Sequence, residues 1–191
     1  MRTIAWDVDD VLNDLMASWF RQWKQDNKNC KASYGDLMEN PPDRILGMNM
    51  QQYLASLDEF RLSVRYQELS PVKEVMEWFR KHGSRYRHIA LTAVPHKAAA
   101  ASAQWVFRNF GTWIRTFHFV PSKRPDSDIP VYDEDKAAFM RWIGRVDLFI
   151  DDNQDHVAAA GGAGVRSLLF PRPWNRGAGS VAALLRELEN L

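Results

Sequence analysis

Five short runs of β-branched, leucine and aromatic residues recur along the chain, each bounded by turn or polar residues: 3–7 (TIAWD), 88–92 (HIALT), 116–120 (TFHFV), 147–151 (DLFID) and 165–170 (VRSLLF). Each is apolar on both faces, so each reads as a strand covered from two sides. Helical spacing fills much of the sequence between them. Val72, Val75, Met76 and Phe79 recur at 0, 3, 4 and 7, behind Ser70 as cap and Pro71 as first helical residue, and Gly83 closes the turn. An alanine-rich stretch over 96–110 stops at Gly111, 134–143 stops at Gly144, and 154–160 stops at Gly161-Gly162. Val181, Leu184, Leu185 and Leu188 share one face of a last helix. Strand and helix in alternation predict an α/β fold, a three-layer Rossmann-like core around a five-stranded parallel sheet.

One stretch interrupts the alternation. Between 13 and 70 there are helix signals and no convincing strand. Leu12, Leu15, Met16, Trp19, Phe20 and Trp23 fall at 0, 3, 4, 7, 8 and 11, a long amphipathic helix leaving the first strand's loop. Pro41-Pro42 breaks the pattern, and shorter helical pieces follow over 50–57 and 58–64. The expected division is a core of 1–12 and 71–191 with a helical insertion, 13–70, over the carboxyl edge of the sheet. Open α/β sheets bind ligands at that edge.

Charge and cysteine content narrow the chemistry. The 25 Lys+Arg balance 24 Asp+Glu, a net charge of +1 that gives no general attraction to nucleic-acid polymers or anionic membranes. No apolar stretch approaches the roughly 20 residues that span a bilayer. Asp7, Asp9 and Asp10 come too early for a secretory leader, and the single Cys30 supports neither an internal disulfide nor a cysteine-based zinc site. A reduced, cytoplasmic protein is expected.

The acids are not scattered. The first strand runs into Asp7-Val8-Asp9-Asp10, and the fourth into Asp151-Asp152-Asn153-Gln154-Asp155. In a parallel sheet both groups emerge at one edge, where unscreened carboxylates repel each other unless a cation compensates. Oxygen donors without Cys or a His cluster select a hard ion, Mg²⁺ first. The turn after the first strand carries acid where a phosphate cradle would carry glycine, so a phosphate approaches it only beside a metal, with a carboxylate as nucleophile.

Asp7-x-Asp9 after the first strand, Thr92 after the second, a lysine before the fourth and Asp151-Asp152 after it resemble, in order, the four motifs of the haloacid dehalogenase superfamily. The insertion stands where that family places its first type of cap. DVDDVLND, the paired IDD and the closing FPRPWN look most like the 5'(3')-deoxyribonucleotidase branch. The resemblance implies a Mg²⁺-dependent phosphomonoesterase acting through an aspartyl-phosphate on a small phosphorylated metabolite, such as a 5'-nucleotide. It implies Asp7 as nucleophile and Asp9 as general acid and base. Mg²⁺ would lie between the Asp7 and Asp151 carboxylates and the Asp9 carbonyl, with Asp152 supporting, and Thr92 and a lysine would hold the phosphoryl group. Lys136, opening the helix before the fourth strand, is preferred for that lysine, and Lys123 is the alternative. Asp10 stands where many family members have glycine, and Asp155 reads as a helix N-terminal acid.

For leaving-group recognition the candidates are Leu15, Trp19 and Trp23 on the first insertion helix, Arg172 and Arg176 after the fifth strand, and His96 and Lys97 beyond Thr92; for Trp19, Trp23 and both arginines the plainer readings, insertion core and solvated charge, are preferred. His88 and His118 lie inside strands, as sheet residues. Of the 8 tryptophans, Trp6, Trp78, Trp105, Trp113 and Trp142 are expected to pack, whereas Trp19, Trp23 and Trp174 lie where a planar substrate would meet them. Three other functions share some of these residues. A phosphotransferase would use the same motifs, and a catalytically weak relative would bind a phosphorylated ligand or a partner without turnover. A receiver module would carry its phosphoacceptor after the third strand, where this chain has Phe119-Val120-Pro121-Ser122 and no aspartate.

Overall fold

The computed structural model describes residues 1–122, 124, 129–175 and 179–189. Its strands are β1 (Thr3–Trp6), β2 (Arg87–Val94), β3 (Ile114–Pro121), β4 (Leu148–Asp151) and β5 (Arg166–Leu169), and its α-helices are α1 (Leu15–Asp26), α2 (Met50–Leu62), α3 (Val64–Gln67), α4 (Lys73–His82), α5 (His96–Phe110), α6 (Lys136–Ile143), α7 (Gln154–Gly162) and α8 (Val181–Glu189). The strands form one sheet in the order β3-β2-β1-β4-β5, with every pairing parallel.

Strand alternation builds the three layers. Ile4 and Trp6 of β1, with Ile150 of β4, pack against Val75 and Phe79 of α4, Phe110 of α5 and Leu188 of α8. Ala5, Ile89 and Phe149 turn to the opposite face, against Phe139 and Met140 of α6 and Ala160 of α7. The period of two thus gives each strand an apolar residue for either side.

The ends of the insertion meet at the sheet. Asn13 and Pro71 form an isolated antiparallel bridge, and the Val72 amide donates to the Leu12 carbonyl at 2.9 Å. The insertion has no sealed core of its own. Leu15, Met16, Trp19, Leu57 and Tyr66 belong to the same apolar cluster as Val8, Leu12 and Val72.

Several boundaries differ from the sequence reading. The first helix starts at Leu15, because Leu12 is held in a turn by its amide bond to the Val8 carbonyl at 2.9 Å. Pro71 is taken up by the bridge to Asn13, so α4 starts at Lys73. The pieces over 50–57 and 58–64 are one continuous helix to Leu62. Asp135 caps α6 by accepting from the Ala138 amide at 2.7 Å, which starts that helix at Lys136. Gly161 and Gly162 form the last two residues of α7, which therefore ends two residues later than expected, with Ala163 as its cap. Trp142, expected to pack, is 77% exposed on the outer side of α6.

Candidate active site

Asp7 extends the ladder one residue beyond β1, its amide donating to the Ile150 carbonyl at 2.9 Å. Asp151 is the last residue of the neighbouring β4. The two carboxylates therefore stand side by side because their strands do. Period two also sends Asp7 to the same side as Ala5, toward α6, whose first residue is Lys136. Lys136 Nζ lies 2.7 Å from Asp7 Oδ1 and 2.7 Å from Asp151 Oδ2. Burial works against the lysine's charge, but Asp151 and Asp7 outweigh it and drive its pKa upward.

The carboxylates of Asp7, Asp151 and Asp152 differ. Burial pushes the Asp7 carboxyl up to about 6 against the pull of Lys136. Burial also acts on Asp151, but Lys136 and His156 hold that group below its ordinary value. His156 Nδ1 is 3.1 Å from Asp151 Oδ2, and the Asn153 amide donates to Asp151 Oδ1 at 2.8 Å. Asp152 is driven well above the carboxylate range by burial and then by the charges of Asp151, Asp7 and Asp10. One oxygen from each of Asp7, Asp151 and Asp152 lies within 4.8 Å of the others, all three residues being buried. Three crowded oxygen donors, two of them sharing one lysine, form an oxygen-only set that fits a hard divalent cation.

Asp9 faces the insertion. Its Oδ1 accepts from the Tyr66 hydroxyl at 2.9 Å and Asn13 Nδ2 at 3.2 Å, and its Oδ2 accepts from Arg61 Nε at 3.0 Å. Asp10 adopts φ +62°, the left-handed region that glycine occupies freely and aspartate tolerates. The turn is therefore one a glycine would also make, and the acid adds a function: its carboxylate accepts from the Met16 amide at 3.0 Å, while Asn13 Oδ1 accepts from Leu15 N at 3.0 Å. Together they cap α1. Asp155 lies in the first turn of α7, as expected for a helix N-terminal acid.

Asp7, Asp9, Thr92, Lys136, Asp151 and Asp152 all line one cavity of about 150 Å³. The structure thus brings together the six residues expected to carry the metal and the phosphoryl group. Lys123 and Arg176 lie outside the described residues. A larger cleft of about 860 Å³, beside Trp23 and Gln52 on the insertion, holds none of the six.

Other candidates fall elsewhere. Arg172 is neither solvated nor turned to a ligand: it donates to the Asp10 carbonyl at 2.6 Å, Asp14 Oδ1 at 2.7 Å and the Asn13 carbonyl at 3.2 Å, pinning the loop that carries the acids. Trp174 supports the site instead of lining it, its Nε1 donating to Asp152 Oδ2 at 2.8 Å. Trp19 is buried in the insertion and donates to Ser56 Oγ at 3.0 Å. Trp23 stacks on it with ring centroids 6.1 Å apart. Both are insertion core. Lys97 Nζ lies 3.5 Å from Asp58 Oδ2.

The residues that join the insertion to Asp9 are not among those the sequence pattern singles out. Arg61 and Asp58, both buried on α2, are a 3.5 Å pair, and Arg124 grips Asp58 through Nε at 2.9 Å and NH2 at 2.8 Å. The available signal was two charges at i and i+3 on a helix otherwise bearing Tyr53, Leu57 and Phe60. Charges inside an apolar helical pattern point to buried pairing.

The sequence matches no protein-family model and no curated protein. The fold, by contrast, matches solved structures across nearly the whole chain. A hydrolase from Streptococcus pneumoniae matches with a TM-score of 0.63 and 12% identity, covering 98% of both chains. A Thermotoga maritima protein described as a β-phosphoglucomutase matches with a TM-score of 0.58 and 20% identity, covering 100% of each. A HAD-hydrolase from Bacillus subtilis, solved bound to magnesium, matches with a TM-score of 0.55 and 13% identity over 88% of this chain and 86% of its own. The chain has the fold of the haloacid-dehalogenase-type hydrolases.

Proposed function

We propose that the protein is a Mg²⁺-dependent phosphomonoesterase that works through an aspartyl-phosphate on Asp7. The observation that carries this reading is the buried cluster of Asp7, Asp151 and Asp152 with Lys136 between two of its members, at the sheet edge of this fold. Asp7 and Asp151 would hold the ion with the Asp9 carbonyl, and Asp152 would support the set. The cation supplies charge neutralisation for the phosphoryl oxygens.

Asp7 attacks phosphorus, so a P–O bond to its carboxylate forms while the ester P–O bond breaks. The leaving oxygen takes its proton from Asp9. In the second half, Asp9 takes a proton from water as the water oxygen bonds to phosphorus and the acyl-phosphate bond breaks, restoring Asp7. Thr92 donates to a phosphoryl oxygen, and Lys136 offsets charge that grows in the transition state. To reach the leaving oxygen, Asp9 exchanges one of its present donors, Arg61, Tyr66 or Asn13.

In this reading residues 13–70 are the cap and 1–12 with 71–191 the catalytic core, acting in the cytoplasm on a small phosphorylated substrate. No helix among the described residues is long and apolar enough to cross a membrane. Phosphate release from a panel of phosphate esters tests the proposal. Release is expected to need Mg²⁺, to stop with a chelator and to vanish in Asp7→Asn, whereas full turnover in Asp7→Asn would refute the mechanism. Phosphate transfer to an added alcohol in place of water would identify a phosphotransferase.

A further inference from the structure

We propose that the substrate of this site is a compact, acyclic phosphomonoester and that the insertion excludes nucleotides. The inference rests on the phosphatase reading above and adds the class of leaving group.

In-line displacement fixes where the leaving group must lie. Asp7 approaches phosphorus from the sheet, so the departing oxygen is on the far side, toward the insertion. Asp9, the acid for that oxygen, faces the same way, with Tyr66 and Arg61 on its carboxylate. The space between is the cavity of about 150 Å³. Sites that enclose drug-sized ligands, the size of a nucleoside monophosphate, span about 300–1,000 Å³. A phosphoryl group and a few further atoms fill what is present.

The roof above this space is bulky and braced. Leu15 and Met16 of α1, Asn40, and Tyr53, Leu57 and Arg61 of α2 line it. Tyr53 is buried and meets the Trp19 ring edge-on at 5.3 Å, and Trp19 is itself fixed by its bond to Ser56. The roof is also fastened to the core. Arg124 and Lys97 hold Asp58, Gln67 Nε2 donates to the Ala101 carbonyl at 2.8 Å, and Trp105 Nε1 donates to the Leu69 carbonyl at 2.9 Å. Lifting it to admit a nucleoside would separate the buried Arg61–Asp9 pair and open a shared apolar core. A second cavity of about 580 Å³ adjoins Lys136 and His156, but it lies beside β3, its rim carries Glu134 and Asp135, and neither Asp7, Asp9 nor, among the described residues, any residue of the insertion lines it.

The test is kcat/KM with Mg²⁺ for glycerol 3-phosphate and phosphoglycolate against 2'-deoxyadenosine 5'-monophosphate, in the wild type, Leu57→Ala and the milder Leu57→Val. The wild type is expected to favour a small ester by about a hundredfold or more, and Leu57→Ala to shift the ratio about tenfold toward the nucleotide, with Leu57→Val between. Because the ratio is taken within each variant, loss of folded protein does not mimic the effect. A wild type that prefers the nucleotide, or a ratio that Leu57→Ala leaves unmoved, would overturn the inference while keeping the phosphatase reading. Failure to release phosphate from any of the three esters would overturn both.

Discussion

Trp6 and Asp7 are adjacent in sequence and both are buried, yet they belong to opposite kinds of polar environment. Trp6 Nε1 donates to His88 Nδ1 at 3.0 Å, and His88 Nε2 pairs with the Gly83 carbonyl at 2.8 Å. An indole offers only a donor and a carbonyl only an acceptor, so the imidazole must be neutral with its proton on Nε2. Every polar atom in that chain is paired, the Gly83 carbonyl also accepting from the Tyr86 amide at 3.2 Å. Asp7 instead shares its lysine with Asp151 and stands near Asp152, and burial holds two of these three acids above their ordinary range. Satisfied polar groups fix a structure, whereas crowded like charges store a demand for a ligand.

The comparison breaks most sharply at Asp7. Asp7→Asn is expected to lower phosphate release by at least about a thousandfold, the scale of losing a nucleophile, while leaving a folded protein. Near-normal phosphate release from the folded variant would remove Asp7 from the chemistry.

Next in size is His88, whose burial lowers its pKa from 6.5 to about 4. A histidine with a depressed folded pKa loses stability as pH falls, because the unfolded chain takes up the proton first. Between pH 6.5 and about 4 this group alone is expected to remove about 3 kcal/mol. His88→Leu should abolish that component and cost about 1–3 kcal/mol at neutral pH by leaving the Trp6 N–H unpaired. Urea unfolding across the pH range reads both, and an unchanged pH slope in His88→Leu would contradict the assignment.

The ion demand at the strand edge is expected to appear as stability. Mg²⁺ at about a hundred times its Kd should add about 2.7 kcal/mol to the wild type and little to Asp151→Asn. Equal thermal shifts in both would place the ion elsewhere.

The smallest effect belongs to Asp10, whose φ suits glycine. Asp10→Gly keeps the turn and loses the cap of α1, an expected cost of about 1 kcal/mol by denaturant unfolding. A loss several times larger would mean that its charge does more than cap.

These two environments were not equally readable in the sequence. The acidic edge was legible because strand ends in a parallel sheet share an edge, so Asp7, Asp9, Asp151 and Asp152 could be placed together from motif order, and Thr92 and Lys136 with them. Arg61, Tyr66 and Asp58 were not. Arg61 meets Asp9 across 52 positions, and no local spacing encodes that partnership. The helix of Asp58 and Arg61 also read as two pieces, since these charges interrupt its apolar pattern although both are buried. Arg172 and Trp174 sat in the right loop but serve the acids through backbone and carboxylate bonds, which side-chain type alone does not reveal. Trp142 shows the converse: helical spacing gave no means to tell its exposed side from the packed side held by Phe139.

The central claim is that Asp7 becomes phosphorylated during turnover. Acid quenching of the protein with Mg²⁺ and a small phosphate ester, followed by peptide mass spectrometry, tests it most directly. The expected result is a phosphoryl group on the peptide containing Asp7, lost in Asp7→Asn. Turnover with no covalent phosphate on that peptide, undiminished in Asp7→Asn, would contradict the account.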